Sequence, residues 1–176
     1  SRGLGDVYKR QYRDPRDIVV SEAHYFTYMN RWHRLHPHFK ALPDMRSRIL
    51  FSIKGATDSN FPYEYPDIRR RFDRYKQWIK SSHVISLRFE DLVGKERDQT
   101  VQRIVTAYVK RSHRGLDEQT LLTDALANIN PHKSHTFRKG KSGSWKDAFT
   151  DTHKEAFKDR AGDLLVELGY ESDLCW

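Results

Sequence analysis

Apolar residues recur at helical spacing along most of the chain and at strand spacing in one short segment. Residues 14 to about 34 begin with an apolar stretch and continue with an aromatic one, which predicts a helix. Asp14 is a suitable N-cap, Pro15 fits the first helical position, and Asp17 stands where a capping carboxylate reaches back. Residues 35–62 contain prolines and a glycine without sustained periodicity, so we interpret them as a long loop.

A helical stripe of apolar residues follows this predicted loop and indicates a helix that packs onto a core. Its members are Tyr65, Ile68, Phe72, Tyr75 and Ile79. The arginines that accompany the stripe fall largely on other faces of the helix; they are Arg69, Arg70, Arg71 and Arg74. We interpret them as a solvated face rather than a binding patch.

Residues 84–89 are short, β-branched at their start and bounded by polar residues, which predicts a strand of a parallel sheet. Glu90 and Asp91 follow it, and we interpret them as the start of a short helix rather than an acid–base pair. Apolar residues in 101–108 and 121–126 predict two further helices.

The last helix has a start signal and a stop signal in the sequence. Thr152 and Glu155 form a predicted capping box at its start, and Gly169 ends it. Its predicted buried face consists of Phe157, Ala161, Leu164, Leu165 and Leu168. Taken together, these elements predict one α/β domain that is helix-rich around a small parallel sheet.

The amino-acid composition is strongly basic. The 176 residues include 32 basic and 24 acidic ones, and the net charge of +8 favours polyanionic ligands such as nucleotides, sulfated sugars or nucleic acids. One cysteine, Cys175, excludes an internal disulfide and a cysteine-based metal cluster. No apolar run is long enough to span a membrane, and we expect a cytoplasmic location.

The segment from Phe137 to Trp145 combines cations with small residues and is the most informative part of the chain. Arg138 offers a planar guanidinium fork, Lys139 a point charge, and Gly140 allows close approach of the backbone. Such a loop can wrap a multiply charged anion, although many basic, glycine-containing loops are ordinary solvated turns. Trp145, directly after a Gly-Ser pair, is interpreted as the anchor of this loop to the core.

A second candidate anion site lies at the start of the first predicted helix. Arg13 precedes the helix, Ser21 stands two turns inside it, and the helix N-terminus carries a partial positive charge. The alternative is a well-capped helix with ordinary surface arginines.

Three histidines lie close together at His33, His36 and His38. The neighbouring Arg34 and the interrupting Pro37 argue against a tight metal site, so we predict no bound metal. One of these histidines could serve as a catalytic base, but no motif supports that role.

The two candidate anion segments together resemble the sulfotransferase family, whose members transfer a sulfuryl group from 3′-phosphoadenosine-5′-phosphosulfate (PAPS) to a hydroxyl or amine. Arg13 and Ser21 stand at the spacing of the family's 3′-phosphate signature. The second signature, Arg-Lys-Gly followed by Gly-x-Trp, is matched by residues 138–140, Gly143 and Trp145. The segment Leu87–Leu92 resembles the part of the family whose aromatic residue, here Phe89, packs near the adenine. The family often has tyrosine at that position, and a core aromatic is an equally good interpretation of Phe89.

This resemblance implies a fold and a cofactor site. The fold is the P-loop-NTPase-like sulfotransferase fold. PAPS, or its product adenosine 3′,5′-bisphosphate (PAP), would be bound without a metal by Arg13, Ser21, Phe89, Arg138, Lys139 and Gly140. The family's N-terminal phosphosulfate loop with its lysine, and its catalytic histidine, have no counterpart here. We therefore expect an N-terminally truncated domain over residues 12–176, a non-native leader over residues 1–11, unassigned catalytic residues, and little or no activity of this fragment alone.

The sequence also bears on the oligomeric state and on alternative functions. Lys146, Thr150 and Glu155 match the family's dimer motif, but Asp151 replaces its valine, so we predict a monomer. The alternative function is a non-catalytic basic module that binds nucleic acid or a sulfated glycan, and a third possibility is a fragment that does not fold stably. Two motifs directed at one nucleotide favour the sulfotransferase, for which we expect no nucleic-acid partner.

Overall fold

A computed structural model describes residues 8–56, 58, 60–112, 115–129 and 142–176 of the chain. The chain divides into two compact units. We call residues 1–13 and 76–142 the strand unit, and residues 14–75 and 143–176 the helical unit.

Within the described residues, the strand unit contains a parallel pair of strands followed by three helices. Strand β1 (Tyr8–Tyr12) pairs in parallel with β2 (Val84–Arg88), with Tyr8 opposite Val84 and Tyr12 opposite Arg88. Its helices are α5 (Phe89–Val93), α6 (Arg97–Ser112) and α7 (Glu118–Asn128). The predicted parallel strand and the helical start at Glu90 and Asp91 are therefore confirmed. The strand ends one residue earlier than predicted, because Phe89 begins α5.

The strand β1 includes residues that we assigned to a leader. Tyr8 to Gln11 supply most of its length and pair with Val84 to Leu87 of β2. The division of the chain at residue 12 stays a prediction, as does the P-loop-NTPase-like sheet.

The helical unit contains α1 (Pro15–His24), α2 (His36–Ala41), α3 (Met45–Lys54), most of α4 (Ile68–Lys76), α8 (Trp145–Ala148) and α9 (Asp151–Glu167). Helix α3 packs against both α1 and α9. The largest fully buried side chains of this unit include Phe39, Phe72, Phe157, Ile49, Ile53, Ile68, Leu164 and Leu165. Burial of this apolar surface is the main stabilising contribution, because each such side chain removed from water is worth about 1.5–3 kcal/mol.

The first helix begins as predicted but ends earlier. The Asp14 carboxylate accepts a hydrogen bond of 2.9 Å from the Arg16 amide, and Pro15 occupies the first turn. A π-helical turn, Tyr25–Met29, then replaces the expected continuation to about residue 34. Its closing bond joins the Asn30 amide to the Tyr25 carbonyl, five residues back, at 3.0 Å. This wider turn ends the regular α-helix at His24.

The predicted long loop at 35–62 is wrong, because α2 and α3 lie within it. The Asp44 carboxylate caps α3 by accepting a 2.8 Å hydrogen bond from the Ser47 amide. Gly55 ends α3 with φ +71°, and a Cβ there would lie 2.4 Å from the Pro66 carbonyl carbon. The proline in the first turn of α2 is compatible with a helix start. Asp44 and Gly55 therefore mark the two ends of α3 in the sequence, although its apolar residues show no sustained helical periodicity.

The apolar stripe of α4 is confirmed at Ile68 and Phe72, which are fully buried. The arginines beside it are not uniformly solvated. Arg69 pairs with Asp163 at 2.6 Å and with Glu167 at 2.8 Å. The Arg71 guanidinium, whose side chain is 15% exposed, donates to the carbonyl of Ser52 at 2.7 Å. These arginines connect α4 to α9 and α3, which the solvated-face interpretation missed.

Helix α9 starts two residues before the predicted capping box. Thr150 is its N-cap, and the Thr150 amide donates to Nδ1 of His153 at 2.9 Å. The other ring nitrogen of His153 bonds the Arg46 carbonyl, also at 2.9 Å. A histidine therefore fills the position that we assigned to Glu155. The predicted end is confirmed, since Gly169 has φ +69° and Tyr170 donates back to the Leu165 carbonyl.

Candidate functional site

The first turn of α1 is built around a buried arginine, Arg16. Its guanidinium Nε and Nη2 bond the two carboxylate oxygens of Asp14 at 3.0 and 2.8 Å. It lies 3.9 Å from the ring centroid of Trp145 and 4.6 Å from that of Trp176, and it contacts the Glu171 carboxylate. Burial raises the pKa of the Asp14 carboxyl, and the hydrogen bonds from Arg16 oppose that shift. Arg16, only 2% exposed, thus holds the start of α1 against the C-terminal segment.

Asp17 connects the same helix turn to the second sequence motif. Its carboxylate is 1% exposed and accepts hydrogen bonds from the backbone amides of Gly143 at 2.8 Å and Trp145 at 3.0 Å. We predicted that this carboxylate reaches back to the helix cap. Its described hydrogen bonds instead go to residues more than 120 positions away, and they fix the Gly-x-Trp end of the second motif at the start of α1.

Trp145 has the contacts expected of a loop anchor. Its ring meets those of Phe149 and Trp176 edge to face, each with centroids 5.7 Å apart. Arg16 covers one face of the indole. A cation on an indole face adds about 1–2 kcal/mol when the pair is shielded from water. The end of the second motif is therefore held by two backbone hydrogen bonds and by ring packing.

Ser21 lies in the second half of α1 and is half-buried. The next residue, Glu22, fixes this face of the helix: its Oε2 accepts from Ser52 Oγ at 2.7 Å and from Arg71 Nη2 at 2.9 Å. The Tyr65 hydroxyl also donates to it, at 3.2 Å. Burial and the neighbouring Glu22 carboxylate raise the pKa of Tyr65, so this phenol stays protonated. The network joins α1 to α3 through Ser52 and to α4 through Arg71.

In the strand unit, Arg13 and Phe89 follow the ends of the paired strands. Tyr12 and Arg88 are the last partners in the register, and the carboxyl ends of parallel strands lie at one edge of a sheet. The Arg13 guanidinium consequently lies 4.5 Å from the centroid of the Phe89 ring. Both side chains are half-buried. The structure thus brings these two predicted site residues together.

The remaining predicted site residues are Arg138, Lys139 and Gly140, and they lie outside the described residues. Two contributors were missed by sequence reasoning, Asp17 as a partner of the second motif and Trp176 as a partner of Arg16. No local pattern marks either one, because both contacts join segments that are far apart in the sequence.

The clustered histidines have separate contacts. His33 Nδ1 accepts from the Leu35 amide at 3.1 Å, and His36 Nδ1 bonds the Phe26 carbonyl at 2.7 Å. The His38 ring packs on Phe61, with centroids 4.5 Å apart. Over the described part of the chain, no three His, Cys, Asp or Glu side chains are grouped as a metal site would require.

An open groove of about 740 Å³ lies in the strand unit between β2 and α6. Its lining residues are Ile79, Val84, Ile85, Ser86, Gln99, Gln102, Arg103, Thr106, Ala107 and Lys110. None of the predicted nucleotide-binding residues is among these lining residues.

Comparison with known proteins gives the family of this chain. A model of the sulfotransferase domain family matches residues 11–169. The chain therefore belongs to the sulfotransferase domain family, a class of transferase enzymes whose general reaction is sulfuryl transfer between a nucleotide cosubstrate and an acceptor. No curated protein matches it significantly. Of the helices in the described ranges, none is both long and apolar enough to cross a membrane.

Proposed function

We propose that this chain binds the 3′-phosphate and the adenosine part of PAPS, and that its parent enzyme transfers the sulfuryl group to a hydroxyl or amine acceptor. The proposed binding residues are Arg13, Ser21, Phe89, Arg138, Lys139 and Gly140. The observation that carries the proposal is the pair of hydrogen bonds from Gly143 and Trp145 to Asp17. They join the end of one anion motif to the helix that carries the other.

The basic half of the second motif precedes Gly143 in the sequence by a few residues. We propose that its cations and the start of α1 bind the same anion. The dipole of a helix favours an anion at its start.

The side chains suit a phosphate monoester and an adenine. Arginine gives paired, directional N–H donors, and a serine hydroxyl donates one more hydrogen bond to a phosphate oxygen. The Phe89 ring offers an apolar face for a base, and the contact with Arg13 fixes the orientation of both groups.

In the reaction, these residues would act on the leaving nucleotide. PAPS, when bound, supplies the sulfuryl group, and its bisphosphate product carries the charge that must be neutralised. Arg13, Arg138 and Lys139 would neutralise that charge, and the Gly140 amide would approach the phosphate without a side chain in the way. The Asp17 and Arg16 contacts would hold this binding surface in place before the nucleotide arrives.

The test is isothermal titration of PAP into the purified chain, with adenosine 5′-monophosphate (AMP) as the control ligand. A charge-assisted contact is worth about 1.5–3 kcal/mol, so Arg138→Ala should weaken PAP binding about tenfold or more. Binding of AMP should not change, because AMP lacks the 3′-phosphate.

Arg160→Ala is the matched control, because Arg160 is an exposed arginine on α9 outside the proposed site. Its PAP affinity should equal that of the unmodified chain. Equal weakening of PAP and AMP by Arg138→Ala would contradict the assignment, and so would a folded chain that binds neither nucleotide.

A further inference from the structure

We propose that a tail segment, residues 170–176, positions the second motif for binding of the 3′-phosphate, with Trp176 as its main positioning residue. The tail follows α9 and lies outside residues 11–169, which the sulfotransferase domain model matches. The inference rests on the proposed function for the identity of the ligand. The contact that carries it can also be tested without a nucleotide.

The tail turns back at the end of α9 and lies along that helix. Its first two amides both donate to the Leu165 carbonyl, at 2.8 and 3.3 Å. Further along the tail, Leu174 Cδ2 lies 3.4 Å from the place that a Cβ at Gly162 would occupy. The Trp176 ring then meets the Phe157 ring edge to face, with centroids 5.8 Å apart. These contacts with positions 165, 162 and 157 show that the tail runs back towards the start of α9.

At its far end the tail contacts the buried guanidinium of Arg16. The guanidinium carbon lies 3.9 Å from the ring centroid of Trp145 and 4.6 Å from that of Trp176. These two indoles meet edge to face, with centroids 5.7 Å apart and planes 83° apart. Glu171, also in the tail, forms an ion pair with the same guanidinium. The tail therefore supplies one of the two indoles and one of the carboxylates that surround Arg16.

The Trp176 indole is held by ring and cation contacts rather than by a hydrogen bond. Its Nε1 is buried and has no hydrogen-bond partner in the described part of the chain. Lys158 Nζ lies 5.1 Å from the ring centroid. Edge-to-face ring pairs and cations on a ring face are both attractive. The position therefore requires an aromatic ring, and a phenylalanine there would keep most of these contacts.

Trp145 connects this ring cluster to the second motif. The Gly143 and Trp145 amides donate to Asp17, while the Trp145 ring packs on Trp176. Removal of the Trp176 ring would leave both amide bonds in place but would take away one support of the Trp145 side chain. The segment before Trp145 would then have more freedom to lose when the 3′-phosphate binds. We therefore expect weaker binding of PAP and unchanged binding of AMP, which lacks that phosphate.

The first experiment is titration of PAP and AMP into Trp176→Ala and Trp176→Phe at a temperature where circular dichroism shows both to be folded. Trp176→Ala should weaken PAP binding about tenfold, the combined loss of a ring pair and a cation contact. Trp176→Phe should bind PAP within about threefold of the unmodified chain, because the ring is kept and no hydrogen bond is lost. Trp32→Ala is the matched control, since Trp32 is 97% exposed in the same unit, and it should leave both affinities unchanged.

Glu171→Gln tests the second tail contact with a smaller change, which removes only the charge that faces Arg16. It should weaken PAP binding about threefold, as expected for a partly exposed ion pair, and should leave AMP binding unchanged. Glu155→Gln is the matched control, because Glu155 is an exposed acid on α9. It should bind both nucleotides as the unmodified chain does.

Hydrogen exchange of the chain without nucleotide tests the positioning contact by itself. Trp176→Ala should speed exchange of the Gly143 and Trp145 amides about tenfold relative to the amides of α3, because local opening of this segment becomes easier. A tail that only stabilises the whole fold would instead speed exchange of both sets of amides equally. Trp32→Ala should change neither set.

Two results would overturn the proposal. One is an unchanged ratio of PAP to AMP affinity in Trp176→Ala, and the other is equal acceleration of exchange in α3 and at the Gly143 and Trp145 amides. A folded, unmodified chain that binds no PAP would refute the proposed function instead. The exchange measurement would then still decide whether the tail positions the second motif.

Discussion

Replacing Asp17 by alanine tests how the two anion motifs are joined. The substitution removes both acceptors that bond the Gly143 and Trp145 amides, at 2.8 and 3.0 Å, from a position that is 1% exposed. A hydrogen bond to a charged group contributes about 1.5–3 kcal/mol. Because both amides belong to half-buried residues that water can partly reach, the lower end applies. We expect a total loss of about 3 kcal/mol.

The assay is thermal unfolding followed by circular dichroism, with PAP titration on the folded variant. For a chain of this length, a loss of about 3 kcal/mol lowers Tm by roughly 6–12 °C. Asp17→Asn should give an intermediate value, because its amide oxygen can still accept one bond while its NH₂ group faces the second donor. PAP affinity should fall severalfold, since the loop must then be ordered on binding, whereas AMP affinity should stay the same.

Asp124→Ala is the matched control, because Asp124 is an exposed acid on α7. Exposed substitutions of this kind usually change stability by less than about 0.5 kcal/mol. The reasoning would be refuted if Asp17→Ala and Asp124→Ala unfolded at the same temperature. An unchanged ratio of PAP to AMP affinity would separately refute the link between Asp17 and the 3′-phosphate motif.

Three further predictions follow from individual contacts. Phe89→Ala removes the ring beneath the Arg13 guanidinium and should weaken PAP binding about tenfold. Phe89→Tyr keeps the ring and should retain the affinity for PAP. Equal PAP affinity of the two variants would contradict the role of the ring. Arg71→Ala breaks a largely shielded ion pair and should cost about 2–3 kcal/mol in urea unfolding, against little change for the exposed Arg70→Ala. The Ser47 amide lowers the pKa of Asp44, so its stabilising effect should be lost as pH falls below about 4. Asp44→Asn should abolish that acid-dependent part of Tm between pH 2.5 and 6, and an unaltered pH profile would show that the cap does not contribute.

The sequence by itself determined features that depend on neighbouring residues. The start of α1 at Asp14 and Pro15, the strand that begins at Val84 and the end of α9 at Gly169 were all predicted. Caps, stop signals and β-branched runs act through bonds and sterics within a few residues, so the sequence indicates them before the tertiary contacts are known. The family was also accessible, because its signatures are short motifs in a fixed order.

The sequence-based predictions were wrong where two local signals indicated different structures for the same segment. Helices α2 and α3 were not predicted because prolines, a glycine and the missing periodicity suggested a loop, although Asp44 and Gly55 mark the ends of α3 correctly. The capping box of α9 was displaced by two residues because the histidine at 153 fills the role expected of an acid. Which of two competing local signals prevails depends on which side chains the tertiary packing buries.

Only the tertiary structure decided the partners of buried charged groups. Asp17 could serve as a capping carboxylate as far as the sequence shows, but its described bonds go to amides 126 and 128 residues away. Arg16 and Arg71 look like surface arginines in the sequence, yet each lies against carboxylates and aromatic rings. A charged side chain removed from water must find compensating groups, and which ones it meets depends on how distant segments pack.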